Sequence, residues 1–218
     1  AAAVIAVWGV AWFVNANPIA SNRALLRGVA PHAEGVLKNL EYFEEALSYR
    51  TIGLQEVREQ LMQGATQVAR LEGVPIEMKQ KFFETAAQEM SLQAESSPLD
   101  PRFPLFLGYL LNAYGLYDAA YPALQRAHEL SPGKQTILFE LATTEFARGD
   151  MARSLDLFKQ AFELAPEFTD ARIYYAAIAI RAGENELADE LLVPLIQSGA
   201  VVDPRIAAAY VAVDKRAK

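Results

Sequence analysis

The order of apolar and polar residues along the chain predicts helices almost throughout. Residues 34–48, 54–71 and 75–95 each place apolar side chains at intervals of three and four, the spacing that collects them on one face of an α-helix. An alternation with a period of two, which would indicate a half-buried strand, is not sustained in any stretch. The sequence therefore predicts an all-α protein.

The beginning of the chain departs from this amphipathic pattern. Residues 1–14, AAAVIAVWGVAWFV, carry no charge, and the first charged residue is Arg23. We expect Pro18 to prevent the helix from continuing, because proline has no amide N–H and clashes with the preceding turn. A helix of residues 1–14 would be ~21 Å long, shorter than the ~30 Å hydrocarbon core of a bilayer. An exposed apolar helix of this kind must be covered by something.

Two environments could cover this helix, and the sequence does not decide between them. Bundling with copies of itself would make it an assembly helix, and insertion into a membrane would require further apolar residues upstream. A signal peptide is not indicated, because the stretch has neither an initial methionine nor a basic segment. We slightly favour assembly. The side chains expected to make the contacts are Val4, Ile5, Trp8, Trp12 and Phe13.

The C-terminal half of the sequence repeats itself with a period of 34 residues. A small residue allows the two helices of a hairpin to pack closely, a glycine suits a left-handed position after the first helix, and a proline ends the second helix. Each repeat is therefore predicted to be a helical hairpin. The recurring residues are Gly108, Ala142 and Ala176, then Gly115, Gly149 and Gly183, and finally Pro98, Pro132 and Pro166.

The segments LGYLLNAYGLYDAAYPALQRAHELSP and ELATTEFARGDMARSLDLFKQAFELAP resemble the tetratricopeptide repeat family, whose motif they carry in order. The resemblance implies repeats over residues 101–134, 135–168 and 169–202, followed by a capping helix over residues 203–218. It implies a right-handed superhelical solenoid of hairpins preceded by the apolar N-terminal helix.

Three regions follow from these patterns. Residues 1–30 are predicted to form the apolar helix and a linker, residues 31–97 a helical region with a degenerate repeat, and residues 98–218 the three repeats with their capping helix.

The family resemblance also implies a concave groove, lined by the first helices of the repeats, that receives a protein or peptide segment. The expected lining is more apolar and aromatic than the lysine and asparagine clusters of the family's peptide-carboxylate clamps. Filling of the groove by helices of the protein itself is the alternative. The lining residues are Arg102, Tyr109, Asn112, Thr136, Phe139, Thr143, Phe146, Asp170, Ile173 and Arg181.

A second resemblance concerns the start of the chain. The apolar helix, then NANP, RALLRG and EYFEEALSYRTIGLQEVREQL, are similar to the end of bacterial O-antigen ligase and polymerase-like membrane proteins. In that family a last membrane helix leads into an extracytoplasmic tail of tetratricopeptide repeats. The resemblance implies that glycan transfer itself would not lie in these 218 residues.

Residues that support catalysis or cofactor binding are sparse. The chain has no cysteine, its two histidines, His32 and His128, lie far apart, and neither a glycine-rich phosphate loop nor HExxH occurs. A net charge of −7 opposes binding of nucleic acid. We therefore predict no catalytic residue, no metal site, no cofactor and no nucleic-acid partner, and we expect the protein not to be an enzyme.

These observations predict a structural or assembly protein at the cell surface or outside the cell. The apolar N-terminal helix would drive homo-oligomerisation, including assembly into a pilus-like filament, and the repeats would contact other subunits or partners. The alternative is a membrane-anchored protein whose extracytoplasmic repeats act as a protein-interaction module.

Overall fold

A computed structural model describes residues 2–197 together with Ile206, Ala208 and Tyr210, and describes only the backbone of residues 2, 3 and 13. This part of the chain contains ten α-helices and no strand. The all-α fold class is therefore confirmed. The chain divides into two compact units, Ala1–Leu116 and Tyr117–Lys218.

The first unit consists of five helices. They are α1 (Ala2–Val29), α2 (Val36–Ser48), α3 (Leu54–Arg70), α4 (Ile76–Ser96) and α5 (Arg102–Ala113). Helices α2, α3 and α4 begin and end within two residues of the predicted bounds. The apolar spacing was sufficient to locate them because each buries one continuous stripe in the core of the unit.

Helix α1 corrects one prediction. It does not stop before Pro18 but continues through it to Val29. An interior proline costs a helix about 3 kcal/mol, and packing of the following residues against α2 offsets that cost. Ser21 is buried and its hydroxyl donates a hydrogen bond of 3.0 Å to the carbonyl of Ala46. Gly28 lies so close to α2 that a Cβ on it would be 3.2 Å from the ring of Phe43.

The end of α1 is fixed to α2 as well. The side-chain amide of Asn39 donates hydrogen bonds to the carbonyls of Gly28, at 2.8 Å, and Ala30, at 2.6 Å. The first carbonyl belongs to the last turn of α1 and the second directly follows the helix, where no further helical N–H is available to either. The expected linker within residues 1–30 is thus the last part of a helix, and α1 and α2 form a hairpin.

Phe43 stands at the centre of the first unit. Its ring meets that of Phe82 edge-on with centroids 6.4 Å apart, and it lies next to both Gly28 of α1 and Gly64 of α3. A partly buried ion pair joins α3 to α4, with 2.7 Å between Nε of Arg58 and Oε2 of Glu89. The hairpins of the first unit are therefore packed on a shared aromatic core.

The second unit consists of α6 (Tyr117–Leu130), α7 (Gln135–Arg148), α8 (Met151–Leu164), α9 (Thr169–Ala182) and α10 (Asn185–Gln197). Gly149 and Gly183 end α7 and α9 in the left-handed region, with φ of 92° and 80°. The small residue at the close approach is Ala142, whose carbonyl accepts a hydrogen bond of 2.8 Å from the hydroxyl of Ser154. The hairpin features that the 34-residue period predicted are present here.

Two parts of the predicted organisation keep the status of predictions. The division at residue 98 rests on the sequence period, whereas the compact units meet between Leu116 and Tyr117, inside the first repeat. The capping helix over residues 203–218 lies mostly outside the described residues. Of its members, Ile206, Ala208 and Tyr210 are helical.

Candidate functional site

The first surface with functional character is the beginning of α1, which we call the projecting segment (residues 2–19). Its apolar side chains lie in solvent, with exposed fractions of 73% for Trp8 and 76% for Trp12. Val4 and Ile5 are exposed in the same way, and the side chain of Phe13 lies outside the described residues. The remainder of the helix (residues 20–29), which we call the docked segment, packs on α2.

The length of α1 changes what the projecting segment can do. Its 28 residues give a helix ~42 Å long, twice the expected length. Val4–Val29 is long and apolar enough to cross a membrane, judged by length and composition alone. Residues 2–22, which carry no charge, extend over ~32 Å and match the ~30 Å hydrocarbon core of a bilayer. The argument that this helix is too short to span a bilayer is therefore wrong.

Polar groups within the projecting segment are few. The side-chain amide of Asn15 donates a hydrogen bond of 2.6 Å to the carbonyl of Ala11, one turn earlier in the same helix. Asn15 therefore does not need water to satisfy one of its donors. Pro18 is compatible with a membrane helix, because prolines occur more often in such helices than in soluble ones.

The second surface is the predicted groove, and its first three residues lie on α5 in the first unit. Arg102 is held by Asp100, with 2.8 Å between Nη2 and Oδ2, and this pairing lowers the pKa of Asp100. The hydroxyl of Tyr109 accepts a hydrogen bond of 3.0 Å from Arg70. Asn112 is half-buried. Arg102 and Tyr109 are therefore engaged with neighbours in their own unit.

The other groove residues lie on α7 and α9 in the second unit. Phe139 is the centre of an aromatic cluster, with its ring centroid 5.5 Å from Tyr174 and 6.1 Å from Phe158. Tyr174 remains half exposed. The cluster therefore presents an apolar, aromatic surface beside α7 and α9.

A cationic group lies over the second aromatic position of α7. The guanidinium carbon of Arg181 is 5.1 Å from the ring centroid of Phe146, within the range of a cation–π contact. Thr136 and Thr143 are exposed on α7, at the helical spacing that puts them on the face of Phe139 and Phe146. This face of the second unit, which we call the α7/α9 surface, is apolar with Arg181 at one end.

The remaining two positions are on α9. Asp170 is exposed in the first turn, where a carboxylate interacts favourably with the helix dipole, and Ile173 is half-buried. Asp170 thus has a local structural role that the groove interpretation did not require.

Sequence reasoning missed two residues of these surfaces. Tyr174 joins the aromatic cluster, whereas its neighbour Tyr175 is buried, and this burial raises the pKa of Tyr175. Asp100 was missed as the partner of Arg102, although an acid two residues before a helix-starting arginine is a recognisable local signal. The acidic pairs Glu44–Glu45 and Asp189–Glu190 are exposed. Among the described residues, no group of three or more His, Cys, Asp or Glu side chains is placed to hold a metal ion.

Comparison with known proteins agrees with this geometry. Residues 145–212 match the tetratricopeptide repeat family model. This match covers the end of α7 and the helices after it, including Gly149 and Gly183. No curated protein matches the sequence significantly.

Solved structures share the fold. MamA (residues 41 to the end) from Desulfovibrio magneticus RS-1 is 15% identical with a TM-score of 0.59, covering 85% of this chain and 94% of that one. A double mutant of MamA from RS-1 is 14% identical with a TM-score of 0.60, covering 85% and 93%. A thermophilic tetratricopeptide repeat protein of Thermus thermophilus, TTC0263, is 17% identical with a TM-score of 0.57, covering 89% and 98%. At these identities the likeness concerns the fold, which is a solenoid of tetratricopeptide-like helical hairpins.

Proposed function

We propose that the protein is a non-catalytic protein-interaction module of the tetratricopeptide type, anchored in a lipid bilayer by α1. The observation that carries the anchor is the exposed, uncharged projecting segment, which extends over ~27 Å and, with the next three uncharged residues, over ~32 Å, close to the thickness of the hydrocarbon core. In water, this stretch would leave a continuous apolar surface uncovered.

The length of α1 also reverses the preference between anchoring and self-assembly. Assembly was favoured because a helix ending before Pro18 would be too short to span a bilayer. With α1 continuous to Val29, that reason no longer applies. Membrane insertion covers all sides of the projecting segment at once, whereas packing against copies of itself requires a particular arrangement.

Self-assembly remains the second candidate, and one observation favours it. Trp8 and Trp12 line an open groove along one face of α1 together with the small side chains of Ala11 and Ala16. Large side chains beside small ones allow an identical helix to pack closely. On this proposal the projecting segments form a homo-oligomeric core, extended into a pilus-like extracellular filament, and the repeats make subunit contacts.

The interaction surface that we propose is the α7/α9 surface. Its exposed aromatic and aliphatic atoms suit an apolar side chain of a partner protein, and Arg181 suits a carboxylate beside it. Aromatic and arginine side chains dominate the binding energy of many interfaces. A protein or peptide segment is therefore the partner we propose.

The location we propose is the cell surface, with the repeats outside the cytoplasm. It is based on the sequence resemblance to the end of O-antigen ligase and polymerase-like proteins, to which neither the family match nor the similar solved structures extend. In such a protein α1 would be the last membrane helix and the repeats would be its tail.

A flotation experiment tests the anchor. The chain is reconstituted with phosphatidylcholine vesicles, washed with alkaline carbonate and centrifuged through a density gradient. We expect it to float with the vesicles, and we expect Ile5→Asp with Trp8→Asp to remove most of it, because each charge in the membrane costs about 3 kcal/mol. Ile76→Asp with Leu164→Asp is the matched control, because both side chains are exposed and neither lies in a proposed membrane contact. Regular fibres in vesicle-free negative-stain images, lost in the same double variant, would favour self-assembly instead.

A cross-linking experiment tests the interaction surface. A photoreactive phenylalanine analogue replaces Thr143, which is exposed on the α7/α9 surface, or Lys159, which is exposed on α8. In cells that make the protein, we expect a defined adduct from position 143 that is absent from position 159 and is weakened by Phe139→Ala. Equal labelling at both positions would contradict this assignment.

A further inference from the structure

We infer that the end of the first unit from which α1 projects rests on the lipid surface, with the side chains of Ile52 and Leu99 inserted among the lipid headgroups. This inference rests on the proposed anchoring by α1 and adds a second membrane contact to it. The surface consists of two loops, the α2–α3 loop (residues 49–53) and the α4–α5 loop (residues 97–101).

The α2–α3 loop lies beside the part of α1 that directly follows the projecting segment. Helix α2 runs antiparallel to α1, since Asn39 bonds to the carbonyl of Gly28 and the carbonyl of Ala46 bonds to Ser21. Just beyond α2, a Cβ on Gly53 would be 3.9 Å from Oδ1 of Asn22. Asn22 is the last residue of the uncharged stretch, so this loop is level with the expected edge of the hydrocarbon core.

The α4–α5 loop lies at the same end of the unit. Helix α3 runs away from that end and α4 returns to it, because Arg58 near the start of α3 contacts Gln93 near the end of α4, with 2.9 Å between Nη1 and Oε1. At the start of α5, Arg102 lies 4.0 Å from Glu59 of α3. Both loops therefore lie beside the beginning of α3.

A lipid surface would explain why each of the two loops exposes a large apolar side chain. Ile52 is 98% exposed and Leu99 is 80% exposed, the two highest values among the large hydrophobic side chains of the described residues. Single exposed apolar residues are common on soluble surfaces. Here, however, the two most exposed ones lie at the one end of the unit that also carries a helix of membrane-spanning length.

Two arginines and a tyrosine near the loops are residue types that suit a headgroup layer, while the exposed acids Glu56 and Glu95 lie on the adjoining helix ends. Arg23 follows the uncharged stretch and Arg50 lies within the α2–α3 loop, where both can approach lipid phosphates. The acid of the other loop, Asp100, is already paired with Arg102 at 2.8 Å, which reduces its repulsion from phosphate. Tyr49, also in the first loop, belongs to the residue types enriched at membrane interfaces.

Depth-dependent fluorescence quenching tests the contact. The chain has no cysteine, so Ile52→Cys, Leu99→Cys and Ile76→Cys can each carry one environment-sensitive label. Ile76 is the matched control, because it is 69% exposed at the start of α4, near the end of α3, where Lys79 bonds to the carbonyl of Ala69. Each full-length variant is reconstituted in phosphatidylcholine vesicles that contain lipid with a nitroxide near the headgroup.

We expect the labels at positions 52 and 99 to be quenched several-fold more strongly than the label at position 76, with blue-shifted emission. Quenching that is absent at either loop position, or equal at all three, overturns the inference.

Quenching of Trp8 and Trp12 by a nitroxide deep in the acyl chains reports insertion of α1 in the same vesicles. Deep quenching of the tryptophans without quenching of the loop labels overturns the inference alone and leaves the anchor in place. Tryptophans that are not quenched overturn the anchor, and the loop contact with it.

Discussion

The two segments of α1 share one helix but differ in everything that surrounds it. In the docked segment, Ser21, Ala24 and Gly28 are small and buried, and they allow α2 to approach closely. In the projecting segment, Trp8 and Trp12 are large and exposed, and no α2 residue covers them. The comparison shows that α2 approaches α1 closely along a face of small side chains in the docked segment. The exposed tryptophans of the projecting segment, in contrast, must be covered by another medium or molecule.

Pro18 lies directly before the junction between the segments. A proline there removes one backbone hydrogen bond, yet the helix continues because each side has its own support. The docked segment is supported by α2, and the projecting segment consists largely of alanine and other residues without charge. If this comparison is right, similar substitutions in the two segments, or in the residues that cover them, must change the free energy of unfolding by different amounts.

Truncation of an aromatic ring gives the largest expected difference. We expect Phe43→Ala to lower the free energy of unfolding of the first unit by about 3–5 kcal/mol, because this ring covers the docked segment and fills the core between α1, α3 and α4. Trp12→Ala, in the projecting segment, should change it by no more than about 0.5 kcal/mol.

Urea denaturation of the full-length variants in mild detergent, followed by far-ultraviolet circular dichroism, measures both changes. A Trp12→Ala variant as unstable as Phe43→Ala would show that the projecting segment packs on the first unit, contrary to the comparison.

Features that depend on local conformation could be predicted from the sequence, and features that depend on contacts with distant residues could not. Gly149 and Gly183 were placed correctly because local conformation and the repeat spacing require the same residue. The prediction that α1 ends before Pro18 was wrong because the rule for proline considers only neighbouring residues. The contacts that keep α1 helical come from α2, which lies later in the chain. Tyr174 was missed because the 34-residue period marks positions that recur between repeats. It does not show which other side chains complete an aromatic cluster.

The groove residues illustrate a different limit. Helical spacing correctly put Phe139, Thr143 and Phe146 on one face of α7. It could not reveal that Arg102 is occupied by Asp100, since that depends on the path of the loop before α5. Whether these residues bind a partner remains a prediction.

Substitution of glycine by alanine should have opposite signs in the two segments. At Gly28 a Cβ would lie 3.2 Å from the ring of Phe43, which cannot easily retreat because Gly64 and Phe82 pack on it. Overpacking then costs about 1–3 kcal/mol and outweighs the gain of about 1 kcal/mol in helix propensity. At Gly9 a Cβ meets nothing within 4 Å, so only the gain applies.

Thermal unfolding of Gly28→Ala and Gly9→Ala measures this sign. We expect a lower Tm for the first variant and an equal or higher Tm for the second. A stabilised Gly28→Ala variant would mean that α1 and α2 can separate slightly without loss, and the close docking would then not be what holds α1 past Pro18.

The smallest expected effect is a dependence on pH that affects only the packed part of the unit. Burial raises the pKa of Tyr114 from 10.0 to about 12, and its hydroxyl lies 3.0 Å from the carbonyl of Ala65 and 3.1 Å from that of Lys79. Because the folded pKa is the higher one, this contribution is complete below pH 10 and is lost as the pH rises towards 12. Allowing for partial exposure, the loss is about 1 kcal/mol.

Tyr114→Phe isolates that contribution, because the other groups that titrate at high pH are common to both proteins. The difference in unfolding free energy between the two proteins should decrease by about 1 kcal/mol from pH 9 to pH 12. Over the same range, the emission of Trp8 and Trp12 in vesicles should stay constant, since the projecting segment carries no charge to titrate. A tryptophan emission that changes together with the stability of the first unit would mean that the projecting and docked segments are coupled. The distinction between the two segments of α1 would then be wrong.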